Sequence, residues 1–221
     1  MATGRLRVMR CEMGFVSRGD GSCSFSAGKS VVWASMNGPG DSHPSRRHGD
    51  QLYIESCYRS ACGDTEESPF NGLLRTALEH TINVKLFPRA AIQVTVHEMQ
   101  PQGSMCALAL TAAGMTVLDG AVPTRAPFCG VQVVRVKGEL IVDPDAATEA
   151  KADTIFNFAI STDRAEVRLA NQPTVIGMEA HGAFTAKDLL LARNLAIEAA
   201  KEIFMFFKET LQRKYTVESI A

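Results

Sequence analysis

Two short stretches of this 221-residue chain carry residue types that could do chemistry. The first is Gly28-Lys29-Ser30, which has the form of the end of a phosphate-binding loop. That loop needs a glycine at position 23, where Cys23 stands, and a helix behind it whose first amides hold the phosphate. The residues that follow, VVWASM, read as a strand, so no nucleotide loop is predicted here. The second stretch is 143–153, with Asp143, Asp145, Glu149 and Asp153. Carboxylates at that spacing can supply the oxygens a divalent cation needs, and Glu149 and Asp153 are the weak metal candidates. On composition alone the stretch reads as a solvated loop. The five histidines (43, 48, 80, 97 and 181) show neither ligand nor triad spacing, and no nucleophile elbow or kinase signature is present.

Composition excludes several classes. A net charge of -1 gives no bulk attraction for nucleic acid, so any such contact must come from local cations. The longest apolar run, Met105 to Leu118, is too short to span a bilayer, and no membrane association is expected. The first ten residues, MATGRLRVMR, hold no apolar core of a secretory leader. Six scattered cysteines (11, 23, 57, 62, 106 and 129) read as reduced packing residues, and Cys57 with Cys62 lacks the second pair that a zinc site would need.

The elements that must position any site follow from periodicity. Residues 5–11, 22–26 and 30–36 read as strands, the first two joined at Asp20-Gly21. Residues 37–50 read as a loop, 51–58 as a strand and 59–68 as a second loop. Ser68 as N-cap and Pro69 at the first position start a helix, with Phe70, Leu73, Leu74, Ala77, Leu78 and Ile82 on one face. Residues 91–98 alternate as a half-buried strand. Residues 104–118 are apolar all round, which predicts a central helix packed on several sides, with Gly114 allowing a neighbour close. Hairpins are predicted for 128–136 with 139–142, and for 154–160 with 165–169. A long helix over 185–213 starts at a Thr185–Asp188 capping box and buries Leu189, Ala192, Ala196, Ala199, Ile203, Phe206 and Leu211. Strands and helices mix without a repeating strand–helix–strand period, so the fold class is α+β, in one domain over 1–221.

Several of these segments in order resemble the ribonuclease PH family. They are DGSCSFSAGKSVVWASMNGP (20–39), RTALEHTINVKLFPRAAIQVTVH (75–97), QGSMCALALTAAGMTVLDGAVP (102–123) and CGVQVVRVKGELIVDP (129–144). The resemblance spans roughly 5–215 and implies a ribonuclease PH-like fold, of the ribosomal protein S5 domain 2-like type. Active members of the family are phosphorolytic 3′-to-5′ exoribonucleases. They hold inorganic phosphate with an arginine and a hydroxyl at a glycine-rich turn over a helix N-terminus, and use an acidic pair nearby. In this chain the turn reads Gly103-Ser104-Met105, with methionine where the family has arginine, and the acidic pair falls on Glu149 and Ile155. The resemblance also implies an RNA-contacting arginine at Arg75, while the second such arginine falls on Leu78. Lys29, Arg89 and Arg125 are weaker RNA candidates.

These departures imply a ring subunit of the RNA exosome that does no phosphorolysis itself, needs no cofactor, and supports RNA processing and degradation. The implied partners are RNA, RNA-binding cap subunits and other ribonuclease PH-like subunits, ribosomal RNA processing protein 43 among them. The isolated chain is expected to form a homodimer, and the implied location is nucleus, nucleolus and cytoplasm. The competing reading is a homodimeric nuclease outside the exosome, phosphorolytic on RNA or metal-dependent on DNA or RNA.

Overall fold

The structure is a computed structural model, and it describes residues 6–41, 50–61, 69–162 and 173–218. Its pivot is the alanine-rich run. It forms α2 (Met105–Asp119), in which every residue from Cys106 to Val117 is buried. A helix so surrounded needs packing on all sides, and two sheets provide it. The first has strands β1 (Met9–Met13), β2 (Gly21–Ala27), β3 (Ser30–Asp41), β4 (Tyr53–Arg59) and β5 (Ala90–Gln100) in the order β1-β2-β3-β5-β4. All neighbours are antiparallel except β4 and β5. The second has β6 (Phe128–Val136), β7 (Glu139–Val142), β8 (Thr154–Thr162) and β9 (Pro173–Gly182) in the antiparallel order β7-β6-β8-β9.

Helix α1 (Pro69–Thr81) lies with α2 between the sheets and touches β4, β8 and β9. A short helix α3 (Ala146–Glu149) follows β7, and α4 (Ala186–Glu218) covers the far face of the second sheet. The layers are therefore sheet, helices, sheet, helix, with one cluster of buried side chains running through them. Fully burying a residue such as Leu108 or Leu110 stabilises the fold by about 1.5–3 kcal/mol, so this central helix is a large part of the driving force. Gly114 does what its position predicts. A Cβ there would run into the carbonyl oxygen of Phe128, so glycine lets α2 lie directly on β6.

The α+β class, the central helix and the capping box match expectation. Several boundaries do not. The first strand is displaced to 9–13, because Arg7 leaves the sheet to bind Asp143 in a remote loop. Strand β3 continues to Asp41 through a register shift at Asn37/Gly40, where a loop was expected from residue 37. Ser68 and residues 165–169 lie outside the described residues. The strand paired to β8 is β9, a Pro- and Gly-containing edge strand with no clean alternation to announce it. In α4 the buried stripe passes through Ala200 and Phe207, while Phe206 is half-buried against Phe25. The acidic stretch 143–153 is not a plain solvated loop, since Asp145 caps α3 by accepting from the Thr148 amide at 2.9 Å.

Candidate functional site at the start of helix α2

The turn before α2 is shaped by Gly103 and Ser104, both left-handed, at φ 96° and 56°. A Cβ on Gly103 would sit 2.5 Å from the backbone of Asp145 and Ala146, so only glycine lets this turn press against α3. Ser104 is fully buried, and its hydroxyl donates to the Pro144 carbonyl at 2.9 Å rather than capping its own helix. Its amide donates to Glu149 Oε2 at 3.0 Å, and the other oxygen of that carboxylate accepts from Gln132 Nε2 at 2.9 Å. The positive end of α2 is thus met by a carboxylate of the same chain.

The walls add more acceptors. Gln132, Asn157 and Glu179 stand opposite one another across β6, β8 and β9, on the face turned toward α2. Gln132 Oε1, Asn157 Oδ1 and Glu179 Oε2 are buried and find no hydrogen-bond partner among the described residues. Burial, then the charges of Glu179 and Glu149, push the Cys106 thiol up, which marks both carboxylates as neighbours of the first turn of α2. This wall presents acceptors, where a bound anion would need donors.

One guanidinium does reach the turn. Arg7 donates to both oxygens of Asp143, at 3.0 Å from Nε and 2.6 Å from Nη2, to Ser30 Oγ at 3.0 Å, and to the carbonyls of Gln102 and Gly103 at 3.3 Å. With these bonds made, Arg7 is a clamp holding the N-terminal segment to the turn rather than a phosphate ligand. Sequence reasoning missed Arg7, Gln132, Asn157 and Glu179, since each acts across more than twenty residues of chain or across strands. Only the pairing of β6, β8 and β9 could have gathered the last three.

The remaining candidates scatter. Met105 is half-buried at the head of α2. Ile155 is half-buried on β8, opposite Val134 and His181, two positions from Asn157. Asp153 is exposed and accepts from the Lys137 amide at 3.0 Å, which ties the turn of the β6–β7 hairpin. Glu149 and Asp153 therefore face different partners, and among the described residues no three His, Cys, Asp or Glu side chains converge on a metal position. Of the two positions that the family resemblance gives to the acidic pair, Ile155 brings no oxygen, and Glu149 accepts one hydrogen bond on each of its own.

Arg75 is exposed on α1 and pairs with Glu79 one turn on at 2.7 Å. That pairing also holds the guanidinium more firmly protonated. Leu78 lies wholly in the core. Lys29 is exposed in the β2–β3 turn, beside Ser30 and hence at the Gly103 end of the molecule. Arg89 and Arg125 are exposed at the other end, near the last turn of α1; the Arg125 amide donates to Thr81 at 2.7 Å. Arg125 also borders a groove of about 650 Å³ walled by Leu118, Phe204, Phe207 and Leu211. No helix among the described residues is long and apolar enough to cross a membrane.

Comparison with known proteins places this geometry. Residues 5–123, from the N-terminal segment to just past α2, match the model of the 3′ exoribonuclease family, domain 1. The chain is 40% identical over 217 residues to the exosome complex component RRP46 homolog of Caenorhabditis elegans, covering 97% of this chain and 98% of that protein. The crystal structure of cell-death-related nuclease 5 from C. elegans is 34% identical and superposes with a TM-score of 0.70, covering 97% of this chain and all of that one. Rice Rrp46 shares the fold at a TM-score of 0.84 and 19% identity, with 95% and 96% covered. The arrangement of sheets and helices thus has its counterpart in known proteins, and the chain belongs to the 3′ exoribonuclease family with the ribonuclease PH fold.

Proposed function

We propose that this chain is a ring subunit of an RNA exosome that carries RNA and partners but does not itself cleave by phosphorolysis. The observation that carries the reading is the Gly103-Ser104-Met105 turn, where the Ser104 hydroxyl is spent on the Pro144 carbonyl and a thioether stands at the head of α2. Met105 offers phosphate no bidentate cation at the α2 N-terminus, and Ile155 brings no carboxylate. In enzymes that stabilise a developing anion, one lost donor costs about 10²–10³ in rate. Here the position that the resemblance gives to a cation holds a methionine. Exosome membership is supported by the near full-length match to an RRP46 homolog.

The partners of this reading are other ribonuclease PH-like subunits, with ribosomal RNA processing protein 43 as the sibling that completes a dimer, and RNA-binding cap subunits. The RNA contact is assigned to Arg75, with Lys29, Arg89 and Arg125 as further cations. The location is nucleus, nucleolus and cytoplasm. Copurification from native extract with mass identification of partners tests the assembly, and absence of every exosome subunit would remove it.

The catalytic reading is tested with purified chain, alone and with its ring partner, on single-stranded RNA with and without phosphate. The expected result is no phosphate-dependent release of nucleoside diphosphates. Release that Glu149→Gln abolishes would overturn the proposal. Magnesium-dependent release of nucleoside monophosphates without phosphate, lost in Glu149→Gln or Asp153→Asn, would replace it with the hydrolytic nuclease. In the assembled ring, Arg75→Ala is expected to weaken RNA binding and lower the salt slope by about one.

A further inference from the structure

Cys11 and Cys23 face each other across the β1–β2 pair with sulfurs 3.3 Å apart. The register sets Cys11 opposite Phe25 and Cys23 opposite Met13, so the two thiols are diagonal neighbours on the core side of the sheet. Their accessibility differs, since Cys23 is fully buried and Cys11 is half-buried. Of the other free cysteines described, Cys106 and Cys129 are buried and Cys57 is half-buried, and among the described residues no sulfur contact is found for any of them.

We infer that Cys11 and Cys23 form a reversible disulfide when the protein meets a peroxide, and that this bond latches the edge strand β1 to the sheet. Strand β1 is the element able to move. Among the described residues it has a single strand neighbour, β2, whereas β2 is paired on both sides. Closing the sulfurs from 3.3 Å to a bonded distance of about 2.05 Å asks for a shift of about 1.3 Å, which an edge strand can make. The latch has a consequence at the turn already described. Arg7 lies four residues before Cys11 and clamps Gly103, Ser30 and Asp143. Fixing β1 therefore fixes the strand that delivers Arg7 to the start of α2.

The chemistry balances with hydrogen peroxide as the oxidant. The Cys11 thiolate attacks one peroxide oxygen, the O–O bond breaks, and the departing hydroxide takes a proton to become water. The Cys23 sulfur then attacks the Cys11 sulfur of the sulfenic acid, the S–O bond breaks, and the leaving hydroxide takes the Cys23 proton to become a second water. Two thiols lose two electrons and the peroxide gains two. The order follows from the site. The hydrogen bond with Cys11, then burial, hold the Cys23 thiol protonated, so the half-buried Cys11 reacts first and Cys23 resolves it. A small dithiol reverses the bond by attacking the more accessible sulfur.

The test uses the full chain in its native state, treated with a small excess of hydrogen peroxide, quenched with an alkylating reagent and mapped by non-reducing peptide mass analysis. The expected product is a Cys11–Cys23 peptide pair two hydrogens lighter than the reduced pair, restored by dithiothreitol. Amide exchange across residues 6–13 should slow at least several-fold in the oxidised protein and stay unchanged by peroxide in Cys11→Ser. That substitution removes a half-buried thiol, so it should spare folding, which a Cys23 substitution need not. Oxidation that joins Cys57 to Cys62 instead would overturn the inference. So would conversion of Cys11 to its sulfinic acid with Cys23 still alkylatable in the unfolded protein.

Discussion

The first turns of α2 and α4 solve one problem in opposite ways. Both helices begin with exposed amide dipoles that an acid can satisfy. At α4 the acid is three residues away. Thr185 donates through its amide and its hydroxyl to Asp188 Oδ2, at 3.0 and 2.9 Å, and accepts from the Asp188 amide at 3.3 Å. At α2 the acid is Glu149, forty-five residues on, and the N-cap hydroxyl is turned away to Pro144. The α4 cap can form as soon as its helix does. The α2 cap exists only once β6, β7 and α3 have come together. It is a joint between the first sheet and the second as much as a helix terminus.

Substitutions at the two starts should therefore differ in size. The largest expected effect is at Gly103. Alanine there meets the Asp145–Ala146 backbone at 2.5 Å and adopts a φ of 96° that L-residues avoid. Gly103→Ala should cost about 3–5 kcal/mol in urea unfolding, as strain and displacement of α3 add. A loss below 1 kcal/mol would mean that the turn slides freely and the joint is loose.

Glu149→Ala comes next. It leaves the Ser104 amide and the Gln132 side chain without their acceptor, at a cost of about 1–3 kcal/mol. Paired with Gln132→Ala the losses should be less than additive, because the two side chains share one hydrogen bond. Thr185→Ala, by contrast, should cost about 1 kcal/mol and add fully to Glu149→Ala. Strong coupling between Thr185 and Glu149 would erase the distinction between a local cap and a long-range one.

The same distinction sorts what could be read from the sequence. Thr185 and Asp188 carry their signal within four residues, and the all-apolar run 104–118 announces its burial by composition. The Gly-Ser turn is legible too. The acceptor-lined wall is not. Gln132, Asn157 and Glu179 become neighbours through strand register alone, and β9 was hidden because an edge strand facing helices at Gly177 and Glu179 need not alternate. Arg7 was hidden by distance, its partner Asp143 being 136 residues away. Where the physics is local the residues state it, and where a site is assembled from three chain segments they do not.

The smallest effect is the acid limb of stability, and it separates the caps most cleanly. Hydrogen bonds from the Thr185 amide and hydroxyl, then the charge of Arg135, hold the Asp188 carboxyl below the ordinary aspartate range. A carboxyl lowered on folding contributes stability that is complete above its unfolded pKa, near 3.9, and disappears as pH falls through the lower folded value. Unfolding free energy should therefore decline as the pH drops below roughly 4. Asp145, the cap of α3, is lowered in the same direction by Thr148 and adds to the same limb. Asp188→Asn should remove its share of that slope while leaving the stability difference from wild type constant above about pH 5. Asp145→Asn serves as the matched control for a cap without an arginine at hydrogen-bond distance. Chemical unfolding followed from pH 6 to pH 3 reads both variants. An acid limb unchanged in Asp188→Asn would show that the α4 box contributes through its neutral hydrogen bonds alone, and that the charge on Asp188 serves Arg135 rather than the helix.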